Sequence, residues 1–192
     1  LRVLALESRH TKEIKKLIAS HGGQPVVAPA LREVRLESDC QALTFAAGLV
    51  DEQFDMAIFL TGAGVRTLVS LVETAHPRER FAAALGRVRV VARGPKPVSA
   101  LNEIGVKADL VAPEPNTWRE ILRLLDDRTG PEGIRGKRVA VQEYGVPCTG
   151  LLTGLRERGA RVTRVPVYQW SMPEDITPLQ DAARMIANGD IY

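Results

Sequence analysis

MAIFLTGAG, residues 56–64, decides the fold of this chain. Met56 to Leu60 is an apolar run without alternation, the pattern of a strand buried on both faces. Thr61-Gly62-Ala63-Gly64 breaks the run, and Leu68, Val69 and Val72 follow at helical spacing. A buried strand that passes through small residues directly into a helix is half of a strand–helix–strand unit.

The same pattern recurs on both sides. Downstream, RVRVVA (87–92) is a strand, Gly94-Pro95 a turn, and a helix ends near Gly105. Ala108 to Ala112 is a short strand, Asn116-Thr117 a turn, and Trp118 to Leu125 a helix. RVAVQ (138–142), Gly145 and a helix to Gly159 repeat the unit, and RVTRVPV (161–167) is a further strand. Upstream, Cys40 to Val50 reads as a helix. RVLAL (2–6) is a strand, Thr11 opens a helix through Ile14, Leu17 and Ile18 that stops at Gly22-Gly23, and PVVA (25–28) is a strand. Thr177 to Asn188 is a last helix. Alternation at this rhythm predicts α/β architecture with largely parallel sheets, whose ligands lie beyond the carboxyl ends of the strands.

Two irregular stretches carrying proline, Pro29 to Ser38 and Val167 to Thr177, read as crossings between domains. The outer elements alone are too few to bury a core. The expected organisation is a first domain of residues 1–30 plus 171–192, interrupted by a second domain of residues 31–170. Gly189-Asp190-Ile191-Tyr192 reads as a helix stop and a strand just beginning, so the first domain is expected to be incomplete in this chain. A single domain with a tail is the alternative.

A hydrophobic fraction of 45% and a charged fraction of 26% are ordinary for a globular protein, and a net charge of +3 permits anionic ligands without demanding nucleic acid. Cys40 and Cys148 have neither metal spacing nor a disulfide framework, so a reducing, cytoplasmic setting is expected. No apolar run approaches the length of a membrane span, and no signal peptide is read at the start. His10, His21 and His76 lack metal-ligand spacing partners, and no P-loop, nucleophile elbow or Cys/His pair occurs.

Candidate site residues sit on the strand-to-helix turns. Thr61, Gly62, Ala63 and Gly64 open a helix whose free N–H groups suit a carboxylate or phosphate; capping by Thr61 is the plain alternative. Arg93, Gly94 and Lys96 place two cations at another helix start, where an anion would relieve their conflict with the helix dipole. Asn116 and Thr117 form a helix cap that could also touch a ligand. Tyr144 and Gly145 follow a strand at the same edge. Arg9, after the first strand, could meet an anion. Tyr168 lies in the second crossing, where it either faces a cleft or simply packs. Together these residues point to a polyanionic small molecule.

Four stretches, in this order and spacing, resemble the uroporphyrinogen-III synthase family over the whole chain. They are the opening strand with Glu7-Ser8-Arg9, Gly-Gly and PVVAPAL; FLTGAGVRTL; VVARGPKPVSALNEIG with Ala112 to Thr117; and LRERGARVTRVPVYQW. The resemblance implies two flavodoxin-like parallel-sheet domains joined by a two-stranded linker, the first shared by both chain ends. It implies a monomer that takes hydroxymethylbilane, a linear tetrapyrrole with eight carboxylates, and converts it to uroporphyrinogen III. The terminal hydroxyl leaves to give an azafulvene, the last pyrrole is inverted through a spiro intermediate, and the ring closes, without metal or cofactor. At the Val-Tyr position the family uses a tyrosine to assist hydroxyl departure, which falls on Tyr168. Some relatives fuse the domain pair to a DNA-binding domain, so a tetrapyrrole- or metabolite-sensing regulator without catalysis is the alternative, and a structural or metabolite-binding α/β pair with an unrelated ligand is a third reading; no membrane or nucleic-acid partner is expected through this segment. The chain departs from the family's Gly-Pro-Ala-Thr turn at Pro97 and from its arginine-bearing turn at Pro147-Cys148. As an incomplete pair of domains it is expected to be inactive alone.

Overall fold

The computed structural model describes residues 1–8, 10–35, 40–130 and 133–191, apart from the side chains of Glu33, Arg35 and Tyr144. In chain order the elements are β1 (Arg2–Ala5), α1 (Thr11–Ser20), β2 (Gln24–Val27), β3 (Arg32–Arg35), α2 (Cys40–Val50), β4 (Met56–Phe59), α3 (Gly62–Val72) and α4 (Arg78–Leu85). Then come β5 (Arg89–Ala92), α5 (Pro95–Asn102), β6 (Leu110–Val111), α6 (Trp118–Arg128), β7 (Arg138–Gly145), α7 (Thr149–Glu157), β8 (Arg161–Ser171) and α8 (Thr177–Ala187). They divide into two compact units, Leu1–Val34 with Trp170–Tyr192, and Arg35–Gln169.

The two irregular stretches carry strands, as the two-stranded linker implied by the resemblance requires. Residues 32–35 form β3, a strand of charged residues flanking Val34, and β8 runs on from residue 167 to Ser171. A difference from the sequence reading is α4, whose apolar face is only Phe81, Ala84 and Leu85.

The first unit holds a parallel pair, with Arg2 opposite Gln24 through Ala5 opposite Val27. Parallel neighbours need a crossover, which α1 supplies. This helix ends where Gly22 takes φ +76°, a left-handed turn that costs glycine little. Burial is thin: among the described residues Ala28, Ala182 and Ile191 are its buried apolar residues, and α1 has none.

The second unit carries most of the core. The six-stranded sheet has the order β3-β8-β7-β4-β5-β6, and β4, β5, β6 and β7 lie wholly within this unit. β4 is parallel to both β5 and β7, with Phe59 opposite Ala92 on one side and Gln142 on the other. All four β4 residues are buried, which is why this strand reads as an unbroken apolar run. Ile58, Val91, Val139 and Val141 pack with Ile121, Leu122 and Leu125 of α6 and Leu151 and Leu155 of α7. Residues of the other parity face α3, where Gln142 meets Gly64. Phe45 of α2 stacks edge-on with Phe54 and with Phe81 of α4, at 5.3 and 6.2 Å between centroids.

The chain runs from β4 outward through β5 and β6, then returns to place β7 on the opposite side of β4. The strand order therefore reverses between β4 and β7, so their carboxyl ends form a topological switch point.

Candidate functional site

The turn after β4 is built by Thr61. Its backbone is extended, and its Oγ1 accepts the Gly64 N–H at 3.0 Å, leaving the N–H groups of Gly62 and Ala63 at the start of α3. Gly62 and Gly64 are required by close approach. A Cβ on Gly62 would lie 2.6 Å from the Lys96 carbonyl oxygen, and one on Gly64 would lie 2.1 Å from Gln142 Nε2. The starts of α3 and α5 thus converge at Gly62, and the end of β7 closes against α3 at Gly64.

The turn after β5 follows from its prolines. The Arg93 N–H is spent on the Phe59 carbonyl at 2.9 Å. Pro95 and Pro97 lie in the first turn of α5, which has no side-chain cap, and neither has an N–H. Anion attraction here therefore falls on the Lys96 N–H and on the cations. Lys96 is exposed, Arg93 half-buried and Gly94 buried.

Asn116 and Thr117 hold the local structure. With its amide nitrogen turned to the carbonyls, Asn116 donates to Ala112 at 3.0 Å and to Arg93 at 3.2 Å, tying the β6–α6 turn to the β5–α5 turn. It does so at φ +58°, a conformation that asparagine tolerates. Thr117 forms a capping box: its Oγ1 accepts the Arg119 N–H, and its own N–H donates to Glu120. The hydrogen bond from the Thr117 side chain holds the Glu120 carboxyl below the usual carboxylate range. A shallow groove of about 530 Å³ runs beside these turns, lined by Pro95, Val98, Ser99, Val111 and Asn116.

Gly145 ends β7 at φ +65°. The Tyr144 side chain and all of Arg9 lie outside the described residues. Tyr168 is in β8 and only 2% exposed, so its ring is buried. The structure thus gathers residues 61–64, 93–96 and 116–117 and Gly145 along one edge of one sheet, while Tyr168 sits within the unit.

Three residues at the end of β7 and beside it escaped the sequence reading. Gln142 and Glu143 are both buried, at 2% exposure each. Gln142 Nε2 donates to the Glu143 carbonyl at 2.6 Å, which leaves its Oε1 without a partner among the described residues. Glu143 accepts from Arg164 Nε at 2.7 Å and from the Cys148 N–H at 3.2 Å. The available signal was two polar residues closing an otherwise apolar strand.

A second recess, of about 390 Å³, opens at the amino ends of the strands. Its carboxylates are engaged: Asp55 with Arg138, and Asp109 with the Val90 N–H at 2.7 Å. Hydrogen bonding from the Arg138 side chain, opposed by desolvation, lowers the Asp55 carboxyl from 3.8 to about 2. Among the described residues no cluster of three His, Cys, Asp or Glu side chains forms a metal site, and no helix is long and apolar enough to cross a membrane.

A parallel sheet with a topological switch point, and with helix starts and cations along its carboxyl edge, puts the unit in the class of open α/β folds, in which that edge is the usual place for a ligand. The family profile described as Uroporphyrinogen-III synthase HemD matches residues 12–192, and the chain belongs to that family. It is similar to a crystal structure of a mutant uroporphyrinogen III synthase from the extremely thermophilic bacterium Thermus thermophilus, with a TM-score of 0.78 and 26% identity over 100% of this chain and 70% of that one. The wild-type protein in a second crystal form gives a TM-score of 0.67 and 27% identity, covering 100% and 69%. The uncharacterized protein YjjA of Bacillus subtilis (strain 168) is 33% identical over 195 residues, 99% of this chain and 68% of that protein.

Proposed function

We propose that this protein cyclises hydroxymethylbilane to uroporphyrinogen III with inversion of the last pyrrole. The observation that carries the reading is the convergence of two helix starts at Gly62 and Lys96, beside Arg93, in a chain of the synthase family. A substrate with many carboxylates is matched by such an edge, because helix N–H groups and guanidinium forks both favour anions in water-poor surroundings. The N–H groups of Gly62 and Ala63 take one carboxylate, and Arg93 and Lys96 take others. Asn116 and Thr117 hold the groove open through their own hydrogen bonds, and Gly145 lets the chain turn after Tyr144. Arg9, outside the described residues, is a candidate cation on the sequence reading alone.

Holding the two ends of a linear tetrapyrrole together makes ring closure effectively unimolecular, an orientational contribution that needs no reactive side chain. The ring of Tyr168 is buried in β8, so a part for its phenol in hydroxyl departure rests on the match to the family's Val-Tyr position. The oxygen leaves as water, and the proton given up by the pyrrole N–H balances the one it takes. The synthases of known structure and the family match support catalysis, whereas the regulatory alternative draws no support from the similar proteins.

The test is incubation of the purified natural full-length chain with hydroxymethylbilane, followed by separation of the cyclic isomers. Excess of the isomer with the inverted ring over an enzyme-free control is expected. A product mixture identical to the control would refute the reading.

A further inference from the structure

The pair Glu143–Arg164 is the strongest charged feature at the β7–α7 turn that the reading above leaves unused. Glu143 is 2% exposed, while the Arg164 side chain is 43% exposed. β8 brings them together: Arg164 stands opposite Val141 in the parallel register, two residues before Glu143, so its long side chain reaches forward to the carboxylate. The carboxylate is filled by two donors, Arg164 Nε on one oxygen and the Cys148 N–H, which opens α7, on the other. Arg164 spends only Nε. Its Nη1 and Nη2 groups have no partner among the described residues.

Stability alone is a poor reason for this arrangement. Removing a carboxylate from water is costly, and apolar replacements of buried ion pairs are commonly as stable or more so. A buried acceptor that grips a guanidinium by Nε does accomplish one thing. It fixes the plane of the fork while the Nη1–Nη2 edge, the edge that matches a carboxylate bidentately, stays exposed. Fixing that plane in advance lowers the entropy lost when an anion arrives.

We propose that Arg164, oriented by Glu143, is a carboxylate-binding residue of the β7–α7 turn, receiving an acidic side group of the ligand on its Nη1–Nη2 edge. The inference deepens the reading given above and rests on it for the identity of the ligand. It places a third cation on the carboxyl edge of the sheet, on the far side of the switch point from Arg93 and Lys96. Anionic groups at opposite ends of an extended ligand would then be held on both flanks of β4.

Arg164→Lys separates this role from simple neutralisation of Glu143, because lysine keeps the charge beside the buried carboxylate and loses the fork. Three measurements are made on the natural full-length protein: melting temperature, the dissociation constant for uroporphyrin III read by its fluorescence, and KM for hydroxymethylbilane. The expected result is a near-native melting temperature with a dissociation constant and a KM each raised about tenfold or more, the loss of roughly one charge-assisted hydrogen bond. Arg164→Gln should weaken binding further and also lower the melting temperature. If Arg164→Lys binds uroporphyrin III as the wild type does, Arg164 serves only to neutralise Glu143 and the inference is overturned, whatever the turnover. A wild type that binds uroporphyrin III without converting hydroxymethylbilane would remove the synthase reading. The Arg164 result would then stand on the binding data alone. Failure of the wild type to bind uroporphyrin III would overturn both.

Discussion

Gly64→Ala puts one methyl group where the structure has no room for it. The new Cβ would lie 2.1 Å from Gln142 Nε2 and 2.7 Å from its Cδ, so the amide must move. Gln142 is buried and held by its bond to the Glu143 carbonyl at 2.6 Å. Swinging it away orphans an amide N–H and a carbonyl in the interior, at about 1–3 kcal/mol for each group left unsatisfied. Alanine returns up to about 1 kcal/mol of helix propensity at this position in α3. The net expectation is a loss of about 1–5 kcal/mol, read as a lower urea midpoint with an unchanged slope. The double variant Gly64→Ala/Gln142→Ala removes the collision, so the cost of the methyl should vanish in the Gln142→Ala background, leaving a coupling between these touching residues as large as the cost of Gly64→Ala alone. A Gly64→Ala protein as stable as the wild type, or a coupling near zero, would refute the claim that this glycine is required by close approach.

Three further outcomes are expected. Arg93→Ala with Lys96→Ala should weaken uroporphyrin III binding at least tenfold, since charge-assisted hydrogen bonds contribute about 1.5–3 kcal/mol each; equal affinity at low salt would remove both residues from the site. Tyr168→Phe should cut turnover by about tenfold or more if the phenol assists hydroxyl departure, whereas pure packing predicts a nearly silent Phe and a Tyr168→Ala cost of about 3–5 kcal/mol; activity and melting temperature of both variants decide. Asp55, held at about 2 in the folded state against 3.8 ordinarily, stabilises the fold above pH 3.8, and that contribution fades as pH falls toward 2. With both partners of the pair partly exposed the term is screened to about 1 kcal/mol, so Asp55→Asn should flatten acid destabilisation over that interval, as followed by melting temperature against pH.

How much of this was legible in the sequence follows from what sets each feature. The β4 strand and the helix at Cys40–Val50 are stated by unbroken apolar runs and helical spacing, which are local signals. β3 has a single apolar residue among charges, so nothing in it announces a strand. α4 is short and follows a proline, and its apolar stripe is one turn long. In the site, Thr61, Gly62, Gly64, Arg93 and Lys96 were visible because strand-to-helix turns draw attention to themselves. Glu143 and Arg164 were not, because their meeting depends on the parallel register of β7 with β8. Asn116 was visible as a turn residue, yet its carbonyl partners, Ala112 and Arg93, belong to two different turns.

The reversal of strand order at β4 also governs how the site comes into being. β4 meets β5 after a short stretch of chain, but Asp55 and Arg138, at the mouth of the β4–β7 pair, are 83 residues apart. Contacts of that span pay their loop-closure entropy before they return anything, so they tend to form late. The β7 side of the carboxyl edge therefore exists only in the finished sheet. A ligand bound across it recognises the completed unit and no part of it, and at a hundred times its dissociation constant would draw about 2.7 kcal/mol of stability into the native state by mass action. Supply of the ligand would then act on the protein's lifetime as a folded molecule as well as on its turnover.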